Sequence, residues 1–301
     1  MLHYFKLMRP INCLMIAIAV FVGGLIVSPT LLLLTAERIW LAMAVAFLIA
    51  GAGNAINDYV DVEADRINRP KRPIPSGRVS RKGALAFSIS LFAIGMALAG
   101  LINWATFAIA AINSLLLVLY STHMQNKVFI GNIAISYLVG SGFLFGGAAL
   151  NNFALAGLLA LLAGLANMAR ELVKTLEDVK GDKLSFLKRI ARKTVKKIAP
   201  KVAERFGFDG KDVRLNYSPG TLSTMAVVFL LLAIMASPLP YVLGMLGMSY
   251  LVVLALADIV FLAAAVMTAN ATRKSHYHRA SGMIKLGMFI GLIAFIAGAL
   301  V

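Results

Sequence analysis

Nine stretches of this chain stay apolar for 17 to 23 residues at a time, which rules out most folds at once. They fall at 11–29, 38–57, 83–102, 104–121, 129–149, 152–174, 220–236, 248–269 and 283–301. A helix of about 20 residues crosses a hydrocarbon core of roughly 30 Å. In lipid the backbone must satisfy its own hydrogen bonds, so only helices and closed barrels span. These runs are twice the length of a barrel strand and do not alternate. The expected fold is therefore an all-α polytopic membrane protein of about nine transmembrane helices, forming one integral membrane domain over 1–301. The chain is 60% hydrophobic, beyond the soluble range. The first run is already a full span with no small-residue cleavage site behind it, so it is expected to stay. Ser28-Pro29, Asn103-Trp104, Asn151-Asn152 and the 237–240 segment separate spans, and 241–247 is expected as a short interfacial helix. Cys13 is the only cysteine, so no internal disulfide or thiolate metal site can form.

The net charge of +16 would indicate nucleic acid on a soluble protein, but in a membrane the placement of charge matters more. Nine spans put successive loops on alternating sides. On that count 28 of the 29 Lys and Arg lie on one face, with Arg38 alone opposite. The positive-inside rule then predicts a multi-pass cell-membrane protein with its N-terminus and long loops cytoplasmic, and no nucleic-acid partner. Eight of the 13 acidic residues fall in two stretches on that same face, at the ends of the second and sixth spans.

In the first stretch Asn57, Asp61 and Asp65 recur at i, i+4 and i+8 and share one helix face. Asn54 and Asp58 fall on the same side, and Glu63 points away. Carboxylates and amides crowded on one face repel unless a cation sits among them, the alternative being a solvated, Asp-capped helix end. In the second stretch Asn167, Glu171, Lys174, Asp178 and Asp182 share a face, although Lys174 is also able to neutralise this cluster as a structural ion pair. Oxygen-only ligand sets suit Mg²⁺, which completes its shell with substrate phosphate. Arg66, Arg69, Lys71, Arg72 and Arg78 follow the first cluster, in a loop whose three prolines and glycine imply order. Two opposed acidic clusters among basic groups point to a bridged di- or triphosphate.

At these residues the chain resembles the UbiA-type intramembrane prenyltransferases. The resemblance rests on Arg9-Pro10, Asn57/Asp61/Asp65, the Arg-Pro-x-Arg-Pro-Ile-Pro-Ser-Gly loop at 69–77, Ile130-Gly131-Asn132, and Glu177-Asp178 through Gly181-Asp182. It implies nine helices around a central cavity open to lipid, with a cytoplasmic cap over two Asp-rich motifs. It further implies Mg²⁺-dependent ionisation of a prenyl diphosphate donor and capture of the carbocation by an acceptor. Asp58, Asp61, Asp65, Asp178 and Asp182 would form the catalytic set. Asn57, Asp61 and Asp65 would hold one metal ion, and Asp178 and Asp182 the other. Substrate contacts would come from Asn54, Arg69, Arg72, Tyr120, Lys127, Glu171 and Lys174. Phe107, Tyr137 and Phe143 are candidates to line the tunnel and stabilise the cation, against the ordinary reading of each as a lipid-facing or packing residue, which is favoured for any one of them.

Two departures from the resemblance stand out. Relatives often carry Lys five residues after the tyrosine at 120, where this chain has Gln125, with Lys127 two positions on. The 183–219 segment is an insertion in which Leu187, Ile190, Thr194, Ile198 and Val202 recur at helical spacing among Lys and Arg. That pattern predicts an amphipathic helix on membrane lipids. Asp258, alone inside the eighth span, is read as a buried, hydrogen-bonded structural residue, and His276 and His278 as surface charge.

The wording of the 68–77 loop is most like the branch that acts on archaeal lipids. The expected reaction is thus transfer of a geranylgeranyl group to the hydroxyl of geranylgeranylglyceryl phosphate. An aromatic acceptor, 4-hydroxybenzoate or a menaquinone precursor, is the runner-up. A CDP-alcohol phosphotransferase would carry Asp-Gly-x-x-Ala-Arg, which is absent. A Mg²⁺ transporter would need polar residues along its spans, where few occur.

Overall fold

Arg9 and Pro10 separate the first two helices of the computed structural model, which describes residues 2–28, 36–125, 127–180 and 217–300. Helix α1 (Leu2–Met8) ends where Arg9 turns left-handed, at φ 53°. A residue before proline is pushed away from the right-handed helical region, and Pro10 supplies a preset first helical position for α2 (Pro10–Val27). Then follow α3 (Glu37–Val60), α4 (Val62–Asn68), α5 (Arg81–Ile102), α6 (Trp104–Leu119), α7 (Val128–Ala149) and α8 (Ala154–Lys180). After the insertion come α9 (Pro219–Ala236), α10 (Leu239–Val242), α11 (Met248–Ala269) and α12 (Lys274–Leu300).

Nine helices among the described residues are long and apolar enough to cross a membrane, and they coincide with the nine apolar runs. Their termini use short caps: Ser80 accepts from Gly83 N, Ser218 from Thr221 N, and Asn103 forms a capping box with Thr106. The last helix starts about two turns earlier than its apolar run. No proline lies between Lys274 and the span, and Tyr277, Ala280, Ser281 and Ile284 form a buried stripe at helical spacing. The expected interfacial helix at 241–247 is not there. The helical turn lies at Leu239–Val242, and Gly244, at φ 68°, terminates it. Residues 183–216, the bulk of the predicted amphipathic insertion, lie outside the described residues; Ser218 and Pro219 start α9.

The two largest apolar cores each hold one half of the spans together. One joins Val20, Ile39, Val45, Ile49, Ala110 and Phe145 from α2, α3, α6 and α7. The other joins Leu172, Leu176, Leu222, Leu230, Phe261 and Ile284 from α8, α9, α11 and α12. Helix α8 connects the halves by packing on α2, α7, α9 and α12. Lipid gives no hydrophobic drive between helices, so close backbone approach carries the association. At α2–α7 that approach is extreme: a Cβ on Gly146 would lie 1.9 Å from Val20 O, and one on Gly23 would lie 2.1 Å from Phe143 O. Large apolar side chains such as Leu101, Met235, Val252 and Ile259 remain exposed on the outer surface, as a lipid-facing exterior requires.

A cap closes the charged end. Leu7 of α1, Val62 of α4 and Ile74 and Val79 of the following loop bury together against Ala55 and Ala84. The loop is fixed by Ser76 N to Arg72 O (3.0 Å), Val79 N to Pro73 O (3.1 Å) and a left-handed Gly77.

Candidate active site

The first acidic motif straddles the junction of α3 and α4. The helix loosens at Asp61 (φ −85°, ψ 7°), but the i to i−4 bonds continue: Asp61 N to Asn57 O at 2.9 Å, and Asp65 N to Asp61 O at 2.8 Å. Asn57, Asp61 and Asp65 therefore keep the common row their spacing predicts. Glu63 is exposed and pairs with Arg66.

The three aspartates are held in different ways. Asp58, 3% exposed, accepts from Arg9 Nη2 at 2.5 Å and from Arg72 Nη1 at 3.0 Å. Asp65, 6% exposed, accepts from the same Arg72 nitrogen at 2.5 Å. Arg72 thus ties Asp58 to Asp65, holding loop and helix ends as one unit. Asp61 is held by amides: Asn57 Nδ2 donates to Oδ2 at 2.9 Å and Gln125 Nε2 to Oδ1 at 2.8 Å. Asn57 Nδ2 also donates to Gln125 Oε1 at 3.3 Å, closing a three-residue ring.

Gln125 reaches this ring through the π turn Tyr120–Met124, closed by Gln125 N to Tyr120 O at 3.0 Å. Ser121 and Thr122 hydroxyls donate back to Leu117 O and Val118 O, competing with the ordinary helical ladder. Tyr120 at the start of the turn has both Glu171 and Asp61 as charged neighbours, so it stands between the two acidic motifs.

In the second motif Glu171 accepts from Arg170 Nη1 at 2.8 Å and from Lys174 Nζ at 3.3 Å. Glu177 pairs with His278 of α12 at 3.0 Å, so His278, expected as surface charge, reaches the motif. Asp178 is exposed, with Lys174, Lys274, Glu171 and Glu177 as charged neighbours. Asp182 lies outside the described residues. Arg69 is the exposed C-cap of α4 and Lys127 the exposed N-cap of α7.

Below the motifs lies a cavity of about 600 Å³ between α2, α3, α6 and α7. Arg9, Asn54, Asn57, Tyr120 and Arg170 line its charged end, and Val20, Val45, Ile49, Leu138 and Phe145 its apolar depth. Asn54 also donates to Met8 O at 2.8 Å, fastening α3 to the end of α1. Midway down, Asn113 Nδ2 donates to Ser141 Oγ at 3.0 Å.

The three aromatic candidates for the tunnel are elsewhere, in the packing roles that the ordinary reading gives them. Phe107 stacks on the exposed Trp104 at the opposite end of α6. Tyr137 lines a separate groove of about 330 Å³ beside α8 and α9, and Phe143 packs against the cluster of Val22, Ile26 and Leu155. At about 100° per residue, 138, 142 and 145 share the inner face of α7, while 137 and 143 turn away. Tyr120 and Phe145 are the aromatic rings at the cavity. Asp258 lies away from it and accepts from Ser237 Oγ at 2.9 Å, while Tyr250 donates to Ser237 O.

Among the described residues no three His, Cys, Asp or Glu side chains converge on one point. A cation here would draw on a mixed set, and the ring fits one. Asn57 donates through Nδ2, leaving Oδ1 as a ligand, and each Asp61 oxygen has one donor and further acceptor capacity. All of these are hard oxygens, as Mg²⁺ requires. Arg9, Gln125 and Arg170 are the site residues that motif reading left without a role. The signal for Arg9 was its place before Pro10.

A family model described as the UbiA prenyltransferase family matches residues 13–293. The chain is 41% identical over 297 residues to the digeranylgeranylglyceryl phosphate synthase of Methanopyrus kandleri, covering 99% of each chain. It is 41% identical over 309 residues to that of Methanosarcina mazei, covering 98% of this chain and 97% of the relative. A solved structure described as concerning digeranylgeranylglyceryl phosphate synthase in membranes matches with TM-score 0.83 and 34% identity, covering 99% of this chain and 98% of its own. A UbiA homolog from Archaeoglobus fulgidus bound to GPP and Mg²⁺ shares the fold at TM-score 0.57 and 17% identity, covering 97% of this chain and 99% of its own. The chain belongs to the UbiA prenyltransferase family.

Proposed function

We propose that this chain transfers a geranylgeranyl group from its diphosphate to the hydroxyl of geranylgeranylglyceryl phosphate. The observation that carries this reading is the two-part cavity, charged and amide-lined at one end and apolar below. Its volume of about 600 Å³ is in the range of small-molecule sites. Relatives named for this reaction, matching over nearly the whole chain, support it.

The residues divide the work. Arg9 and Arg72 neutralise Asp58 and Asp65 and fix the α3–α4 junction against the 69–80 loop. Asn57 and Asp61, with Asp178 and Asp182 from the second motif, would hold Mg²⁺, which when bound supplies charge to neutralise the departing diphosphate. The allylic C–O bond breaks with its electron pair going to the diphosphate oxygen. The acceptor hydroxyl then bonds to the freed carbon and passes its proton to the released diphosphate. The apolar depth keeps water from the carbocation, and the Tyr120 ring at the cavity is placed to stabilise it. Arg170 Nε is buried without a partner among the described residues, on a side chain lining the cavity, which favours an acceptor with an anionic head.

The charge count supports a cytoplasmic position for the motif-bearing face. To test the acceptor, labelled geranylgeranyl diphosphate is supplied with geranylgeranylglyceryl phosphate, 4-hydroxybenzoate or a naphthoquinol precursor in parallel. Label should enter the glyceryl phosphate lipid; label entering only an aromatic product sinks the assignment.

A further inference from the structure

The geometry points to Gln125 as a positioning residue for Asp61, one that orients its carboxylate with a neutral donor and leaves its full negative charge for a divalent cation. This rests on the metal reading above. Asp58 and Asp65 each have an arginine nitrogen within 3.0 Å, whereas Asp61 has only the amides of Asn57 and Gln125. An aspartate already paired with guanidinium has little charge left for a metal ion; an aspartate gripped by amides is oriented yet still anionic.

The backbone is built to put Gln125 there. The π turn adds one residue to the end of α6, and such single-turn insertions re-aim the side chains that follow them. The turn is then clamped. Lys127 N donates to Met124 O at 2.8 Å, and a Cβ on Gly131 would lie 2.8 Å from that same carbonyl, so α7 begins pressed against the turn. Gln125 is therefore a fixed arm reaching from α6 to α3. Its amide bonds Asp61 through Nε2 and accepts from Asn57 at Oε1, which also fixes Asn57 with its Nδ2 inward to the ring. Gln125 thus grips the carboxylate without neutralising it.

Outer-shell partners of this kind typically change metal affinity by about ten- to a hundredfold. The test compares wild-type protein with Q125M, which removes both bonds at similar size, and Q125K, which can still donate but brings a charge. Free Mn²⁺ is titrated by electron paramagnetic resonance on purified protein without substrate, and turnover is measured across Mg²⁺ concentrations. Q125M should bind Mn²⁺ about tenfold more weakly and need correspondingly more Mg²⁺, with kcat at saturating Mg²⁺ within about threefold of wild type. Q125K should bind Mn²⁺ no better than Q125M. A melting temperature close to wild type for both variants, read in the same preparations, sets folding aside. Unchanged Mn²⁺ affinity in Q125M, or wild-type affinity in Q125K, overturns the role of Gln125 while leaving the metal reading intact. Wild-type protein that binds no Mn²⁺ overturns the metal reading, and this role with it.

Discussion

Arg9 Nη2 lies 2.5 Å from Asp58 Oδ1, so a left-handed residue at the start of the first span is locked to the end of the second. Arg9 adopts φ 53° at the break between α1 and α2, and a non-glycine residue there costs about 1–2 kcal/mol. The ion pair to a carboxylate only 3% exposed offsets that cost. R9A should lower stability by about 1–3 kcal/mol, less than the loss of a lone buried pair, because Arg72 still reaches Asp58. Thermal unfolding in detergent checks this; an unchanged melting temperature contradicts it.

The α2–α7 seam gives a prediction with an internal control. Alanine at Gly146 would drive a Cβ to 1.9 Å from Val20 O, whereas one at Gly157 would meet nothing within 4 Å. G146A should therefore destabilise by about 1–3 kcal/mol as α2 is pushed away from α7. G157A should melt at or slightly above wild type, since alanine is the better helix former. Equal melting temperatures for the two variants contradict the seam.

The aromatic residues separate by position. Tyr120 borders the cavity, while Phe107 stacks on Trp104 outside it. Y120L should lower kcat by about three- to thirtyfold, the range of a desolvated cation–π contact, and Y120F should retain most of it. F107L should turn over like wild type. Initial rates at saturating donor distinguish these, and a larger loss in F107L than in Y120L contradicts the placement.

Orientation can be read by labelling. Cys13 is buried and is the only cysteine, so a single introduced thiol reports without background. With K71C in the 69–80 loop, a membrane-impermeant maleimide should label inverted vesicles and leave intact cells unlabelled. Labelling from outside the cell contradicts the cytoplasmic placement of the motifs.

Much of this was legible in the residues because bilayer physics is blunt. Nine apolar runs gave nine spans, and the row of Asn57, Asp61 and Asp65 survived the loosening at Asp61 because its i to i−4 bonds continue. Side-chain direction within a span was not legible, since helices apolar on every face carry no stripe that says which side looks inward. For that reason Phe107, Tyr137 and Phe143 stood as candidates although they pack outside the cavity, while Phe145 sits at it. The pairings were hidden too. Nothing in the spacing separates Asp58, held by two arginines, from Asp61, held by two amides, because that division depends on Arg9, Arg72 and Gln125 arriving from three other elements. The start of α12 was missed because its first two turns are basic and polar yet bury Tyr277 against the bundle.

The central claim is prenyl transfer from diphosphate to a lipid hydroxyl at the α3–α8 acidic face. Its most direct measurement follows diphosphate release and ether-lipid formation together, from geranylgeranyl diphosphate and geranylgeranylglyceryl phosphate, in wild-type and D61A protein. Wild type should release one diphosphate per lipid formed and stop when Mg²⁺ is chelated, and D61A should lose at least about a hundredfold in rate while melting like wild type. D61A turning over at the wild-type rate, or diphosphate released with no lipid product, would contradict it.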